Sequence, residues 1–207
     1  MYFTVPYRRL EFPFLDANSD TTYWRVYTTP DGSCLLHAIA SSLNPDQVTA
    51  PHINEKQRIT KGLELRKQIM NDSELYHQAV EGVEPSLRQY VPRQRELRCS
   101  NFFLGEFAWN MIATALNAGI IMILSRGKNR GIVALPFRSK QNIERYKKRK
   151  NNCHPEINEV VKYLPKHWVC LAFINNNHFE TILQRVGNNT FGIYDINSPI
   201  VQYFINV

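Results

Sequence analysis

The sequence predicts an α+β domain, a mainly antiparallel sheet flanked by helices. Three stretches carry that prediction. Leu35, Leu36, Ile39, Ala40 and Leu43 recur at helical spacing. Residues 168–196 read as three short strands, WVCLAFI, HFETILQR and TFGIYDI, separated by Asn175-Asn176-Asn177 and Gly187-Asn188-Asn189 turns; this is an antiparallel meander. Between these regions lie two further helical patterns, over 61–80 and 102–118. A chain of 207 residues with 43% hydrophobic content can bury one core, so 1–207 is read as a single domain.

In chain order, residues 1–23 form an arm rich in aromatics and turn residues that packs on the domain, with Tyr23-Trp24 beneath the loop that follows. Asp31-Gly32-Ser33 is a tight turn, and Cys34 opens a helix that Asn44-Pro45 stops. Residues 46–60 form a polar loop. The 61–80 helix offers Leu65, Ile69, Leu75 and Val80 to the core. Pro85 and Pro92 mark an irregular connection. Residues 107–124 are apolar but interrupted by Asn110, Thr114, Asn117 and Gly119, which makes them a helix, a turn and a buried strand rather than a membrane span. The aromatics Phe102-Phe103 and Phe107-Ala108-Trp109 fall at helical spacing and read as core. Trp168 either belongs to the core or covers a narrow cleft.

The chemistry concentrates at Cys34. A helix N-terminus, with its unpaired amides and positive dipole end, favours an anion such as a thiolate. Asp31 and Ser33 are turn or capping residues for those amides, and Gly32 can adopt a left-handed conformation or admit a close backbone. The dipole contributes roughly 0.3–1 kcal/mol, under one pKa unit for a thiol, so a second stabiliser is needed, most economically an imidazolium. Without one, Cys34 is a buried structural cysteine. His178 fits. Strand alternation puts Glu180 on its face and Phe179 and Thr181 on the other, so Glu180 can orient the ring. His37 follows Cys34 on the same helix and reads as packed or partly exposed; His167, just before the strand, is a weaker candidate for the base, and His52 and His77 suggest no role. His154 beside Cys153 lacks partners at zinc spacing, so no metal and no cofactor is expected.

These residues carry a resemblance. Asp31-Gly32-Ser33-Cys34-Leu35-Leu36 resembles the nucleophile motif of the ovarian-tumour (OTU) family of cysteine peptidases, and His178-Phe179-Glu180 its histidine box. Leu65-Arg66-Lys67-Gln68-Ile69 with Glu74-Leu75-Tyr76 is similar to the family's second helix. Leu104-Gly105-Glu106 through Ala113-Thr114-Ala115-Leu116 into 120–124 is similar to its later helix and central strand. The likeness runs in order from about residue 24 to 196. It implies a papain-like fold of OTU type and a thiol isopeptidase acting on ubiquitin or polyubiquitin chains. Cys34 would be the nucleophile, His178 the base, Asp31 the residue shaping the loop, and backbone amides of Gly32, Ser33 and Cys34 the oxyanion site. The third member departs from the family: Asp or Asn is usual two residues after the histidine, and here it is Glu180. Asp195, Asn197, Asp16 or Asp20 could replace it.

Charge is uneven. Residues 126–166 hold twelve lysines and arginines against Glu144, Glu156 and Glu159, a net +9 in a chain whose total is +7. This basic insertion or loop, peaking at Arg145-Tyr146-Lys147-Lys148-Arg149-Lys150, is either a solvated surface or a site for an acidic partner such as nucleic acid. Four cysteines without paired spacing and an N-terminal MYFTVPYRRLEF without a signal pattern predict a reducing, cytoplasmic setting, and a monomer is expected. Two other functions compete with hydrolysis: a catalytically silent ubiquitin-binding module, and a nucleic-acid-binding or acidic-partner-binding protein acting through 126–166.

Overall fold

The structure is a computed structural model and describes residues 7–13, 20–50, 53–124, 130–151, 157–175 and 177–205. Its strands are β1 (Tyr7–Leu10), β2 (Thr21–Val26), β3 (Gly119–Leu124), β4 (Gly131–Ala134), β5 (His167–Ile174), β6 (His178–Val186), β7 (Asn189–Phe191) and β8 (Ile193–Asp195). Its helices are α1 (Cys34–Leu43), α2 (Asp46–Thr49), α3 (Glu55–Met70), α4 (Ser73–Glu81), α5 (Gln94–Arg98), α6 (Glu106–Leu116), α7 (Phe137–Lys150), α8 (Ile157–Val160) and α9 (Pro199–Ile205).

Among the described residues the strands form one sheet in the order β1-β2-β6-β5-β3-β4, with β7 on β6 and β8 on β5. Every pairing is antiparallel except β3 with β5. α1, α3 and α6 cover one face around Ile120, Met122, Leu171, Phe173 and Phe179. The other face packs Phe12, Tyr23, Trp168, Cys170, Tyr194 and α9.

α1 is the central element. Its apolar residues recur on one face, yet Cys34 through Ser42 are all buried, because it lies between the β5–β6 face and α3. Burying Leu35, Leu36 and Ile39 contributes about 1.5–3 kcal/mol each. Its polar residues are accommodated individually. Ser42 Oγ donates to the Ala38 carbonyl at 3.1 Å. Thr181 Oγ1 on β6 donates to the same carbonyl at 2.9 Å, fixing strand to helix. His37 fits because α3 presents Gly62 to it; a Cβ there would stand 2.0 Å from His37 Nδ1.

Several elements differ from the sequence pattern for local reasons. The 61–80 helix is two helices. α3 begins at Glu55, where Asn54 and Gln57 form a reciprocal capping box. The chain then breaks at Asn71, and Asp72 caps α4 by accepting from the Leu75 N–H at 2.9 Å. The third meander strand is divided by Gly192, whose missing Cβ lets the Ser42 backbone approach; a Cβ would lie 2.1 Å from the Ser42 oxygen. β7 therefore stays on β6 while β8 crosses to β5. Part of the N-terminal arm is the edge strand β1. Tyr23 lies on the sheet face away from α1, not beneath the Cys34 loop. Trp168 is core rather than a cleft cover: its Nε1 donates to the Pro165 carbonyl at 2.8 Å, and Gly119 makes room for its ring. The basic segment contains the edge strand β4 and α7, whose last turn holds Lys147, Lys148, Arg149 and Lys150 at the negative end of the helix dipole.

Candidate active site

Cys34 is the first residue of α1, and His178 is the first of β6. Alternation along β6 sends Phe179 and Thr181 toward α1 and places Glu180 with His178 on the other face. Because His178 stands at the end of its strand, its ring still meets the Cys34 thiol at the tip of α1. Glu180 Oε1 lies 3.6 Å from His178 Nε2, an ion-pair distance, and the His178 and Glu180 side chains are 15% and 12% exposed. Cys34, and after it Glu180, stabilise the charged ring and push the His178 pKa up to about 9 against the opposing effect of burial. Among the described residues neither buried ring nitrogen makes a hydrogen bond within 3.5 Å. Cys34 itself is 1% exposed.

The other residues expected as candidates for the third position are Asp195, Asn197, Asp20 and Asp16. Asp195 pairs with His167, seven residues along β5 from the partner of His178, roughly 23 Å away at strand spacing. Asn197 donates to Asp195 at 2.8 and 2.9 Å and stays with it. Asp20 precedes Thr21, which pairs with Val186 at the far end of β6. Asp16 lies outside the described residues. So do His52, Cys153 and His154. His77 is exposed on α4, and His167 is exposed at the start of β5. Among the described residues no cluster of His, Cys, Asp or Glu could hold a metal ion.

The loop before Cys34 is organised from inside. Asp31 Oδ1 accepts from the Ser33 N–H at 2.7 Å, and Oδ2 pairs with His37 Nε2 at 3.1 Å, so Asp31 ties the turn to α1. Ser33 does not cap the helix with its side chain; its Oγ donates to the Ser100 carbonyl at 3.0 Å. Gly32 is needed for close approach rather than for a left-handed conformation, since a Cβ would stand 2.3 Å from the Asn101 backbone and its φ is not positive. Of the amides expected to hold an oxyanion, Ser33 N–H is taken by Asp31 Oδ1 and Cys34 N–H by the Asp31 carbonyl at 3.1 Å. No hydrogen bond among the described residues uses the Gly32 N–H.

Two arginines complete the site, and neither was assigned a role from sequence. Arg66 on α3 is 2% exposed and donates to the carbonyls of Gly32, Leu97, Ser100 and Phe102 and to Ser33 Oγ, at 2.6–3.2 Å. It binds the 31–33 turn to the 97–102 segment. Burial lowers its pKa, and the nearby Asp31, Cys99 and Cys34 oppose that. Arg25 on β2 places Nε 2.7 Å from Glu180 Oε2, the oxygen turned away from His178. An internal salt bridge of this kind was invisible in the one-dimensional pattern.

Aromatic rings line the approach. Phe173 and Phe179 stack at 4.6 Å, with Trp109 edge-on to both. Phe103, partly exposed, stacks on Phe179 at 6.0 Å, and the Tyr27 ring lies 6.1 Å from that of His178. Phe102, Phe107 and Trp109 pack on the core, so of these aromatics it is Phe103 that reaches solvent beside the site. A groove of about 580 Å³ lies apart from the site, between α4, α6 and α7, lined by Leu87, Tyr90, Phe107 and Phe137, with none of Cys34, His178 or Glu180 in its wall. Cys170 is fully buried on β5 and its thiol is pushed well up by desolvation, leaving it unreactive.

No protein-family model and no curated protein matches the chain. Solved structures to which the chain is similar are OTU domains. One is an ovarian tumour domain in complex with ubiquitin, at 13% identity, covering 88% of this chain and 80% of that one with a TM-score of 0.49. The OTU domain of OTUD1 shares 14% identity over 77% of this chain and 85% of that one, TM-score 0.47. The Hazara virus OTU bound to ubiquitin shares 16% over 81% and 92%, TM-score 0.41.

Proposed function

We propose that this chain is a thiol-dependent deubiquitinase that hydrolyses isopeptide bonds after the C-terminal glycine of ubiquitin. The observation that carries the reading is the meeting of a helix-tip cysteine with a histidine whose charged form is favoured by that cysteine and by Glu180. A nucleophile, a base and an orienting carboxylate are what acyl transfer from an amide requires. The substrate class follows from the ordered motifs, Asp31 to Leu36 and His178 to Glu180, that resemble the OTU peptidases.

In this mechanism the Cys34 thiolate attacks the glycine carbonyl carbon, and the C–N bond breaks as His178 passes its proton to the departing lysine amine. A thioester joins Cys34 to ubiquitin. Neutral His178 then takes a proton from water, the hydroxide attacks the thioester, and Cys34 leaves as thiolate. Developing negative charge on the carbonyl oxygen falls to backbone amides of the turn. Gly32 N–H, which donates to no acceptor among the described residues, can donate at once, whereas Cys34 N–H must first leave the Asp31 carbonyl. With Cys34 covered, a slender tail such as Gly-Gly suits the entrance better than a bulky one.

Hydrolysis of ubiquitin carrying a C-terminal fluorophore tests the proposal. Cys34→Ala is expected to bring turnover to background while ubiquitin binding persists. Undiminished turnover by Cys34→Ala would remove Cys34 as nucleophile.

A further inference from the structure

Glu180 occupies the orienting position with a longer chain than aspartate or asparagine would have. A glutamate has three side-chain torsions and is among the residues that lose most freedom on ordering, so something must hold its carboxylate toward the ring. Its direct neighbour across β5 is Ala172, too small to confine it. Its diagonal neighbour on β2 is Arg25, which pairs with Ile182, two residues along the same face. Arg25 Nε sits 2.7 Å from Oε2, while Oε1 is the oxygen 3.6 Å from His178 Nε2. One carboxylate thus bridges an arginine and the histidine, its plane fixed by the shorter contact.

Resting on the proposed hydrolase reading, we infer that Arg25 is a positioning residue: its ion pair with Glu180 Oε2 holds Oε1 against His178 and so supports the thiolate–imidazolium pair. Among the described residues, the charged and titratable groups facing this cluster are few. Arg8 stands directly across from Arg25 on β1, Tyr27 lies beside the His178 ring, Cys34 closes the cluster from α1, and β5 presents Ala172. Arg25 and Glu180 are 26% and 12% exposed, so the pair is only partly screened by solvent.

The test follows the pH dependence of Cys34 alkylation by iodoacetamide, which needs no ubiquitin, in wild type, Arg25→Lys, Arg25→Gln, Glu180→Gln, His178→Ala and the Arg25→Gln/Glu180→Gln double variant. Turnover of fluorogenic ubiquitin is measured alongside. Arg25→Gln is expected to move the alkylation midpoint to higher pH, in the direction of Glu180→Gln, and to lower kcat about tenfold with little change in KM. Arg25→Lys should recover most of both. In the Glu180→Gln background Arg25→Gln should add almost nothing, because its target is gone. Equal losses in both backgrounds, or an unmoved midpoint, would overturn the inference by leaving Arg25 a strand-pairing residue. A midpoint moved to lower pH would also overturn it, since Arg25 would then only screen the Glu180 charge. If His178→Ala alkylates like wild type, the hydrolase reading itself fails; if only the Arg25 variants do, the hydrolase reading stands without this refinement.

Discussion

At Cys34 the helix supplies only part of what a thiolate needs, and the rest comes from the His178 ring, whose proton is held up to about pH 9 by Cys34 and Glu180 against burial. That value gives the site a pH signature of known sign. Hydrolysis needs the imidazolium to protonate the leaving amine, so kcat/KM should fall as pH rises through about 9. The folded-state pKa is raised above the ordinary value of 6.5. The charged ring therefore adds stability that is fully present below about pH 6.5 and is lost as pH rises through about 9. Thermal melts of wild type and His178→Ala across pH 5–10 should differ most at low pH and converge above about 9. A gap independent of pH would contradict the ion pair. The candidates Cys34, His178 and Glu180 can be picked out from local rules: a glycine turn before a helix, and alternation along a strand. Arg25 and Arg66 cannot, since their partners lie 155 and 31–36 residues away and only folding brings them together.

Among the elements, α3 does more than cover α1. Through Arg66 it fixes the turn before Cys34 and the 97–102 segment at once, using the Gly32, Leu97, Ser100 and Phe102 carbonyls. Replacing this side chain by methionine keeps the volume but strands buried acceptors, at a cost of at least about 3 kcal/mol in urea unfolding. Hydrogen exchange should rise in 31–34 and 97–102 before it rises in the sheet. A change below about 0.5 kcal/mol, the range of ordinary surface substitutions, would show that the two loops hold themselves. Periodicity located α1, α6, β3, β5 and β6 but misjudged places where one residue redirects the chain. Asp72 divides a continuous helical pattern by capping a new helix, and Gly192 divides a strand by admitting the Ser42 backbone. A hydropathy pattern carries neither event, because a cap depends on a single side chain and a close approach on a distant backbone.

For the molecule as a whole, a mainly antiparallel sheet with α1, α3 and α6 on one face and α9 on the other brings the tip of α1 to the end of β6, and the candidate pair arises from that meeting. The basic excess gathers on the exposed last turn of α7, away from the Cys34 loop in sequence and without a buried residue in that helix. Its position at a helix C-terminus gives those charges a structural reason to be there, so an acidic partner is a secondary proposal beside hydrolysis. The central claim is a thiol made reactive toward ubiquitin by its place in this fold. Its most direct test is reaction with ubiquitin bearing an electrophile in place of the C-terminal carboxylate, read by intact mass for wild type and Cys34→Ala. An adduct of one ubiquitin on wild type and none on Cys34→Ala is the predicted result. No adduct on a folded wild-type protein, or an equal adduct on both, would contradict it.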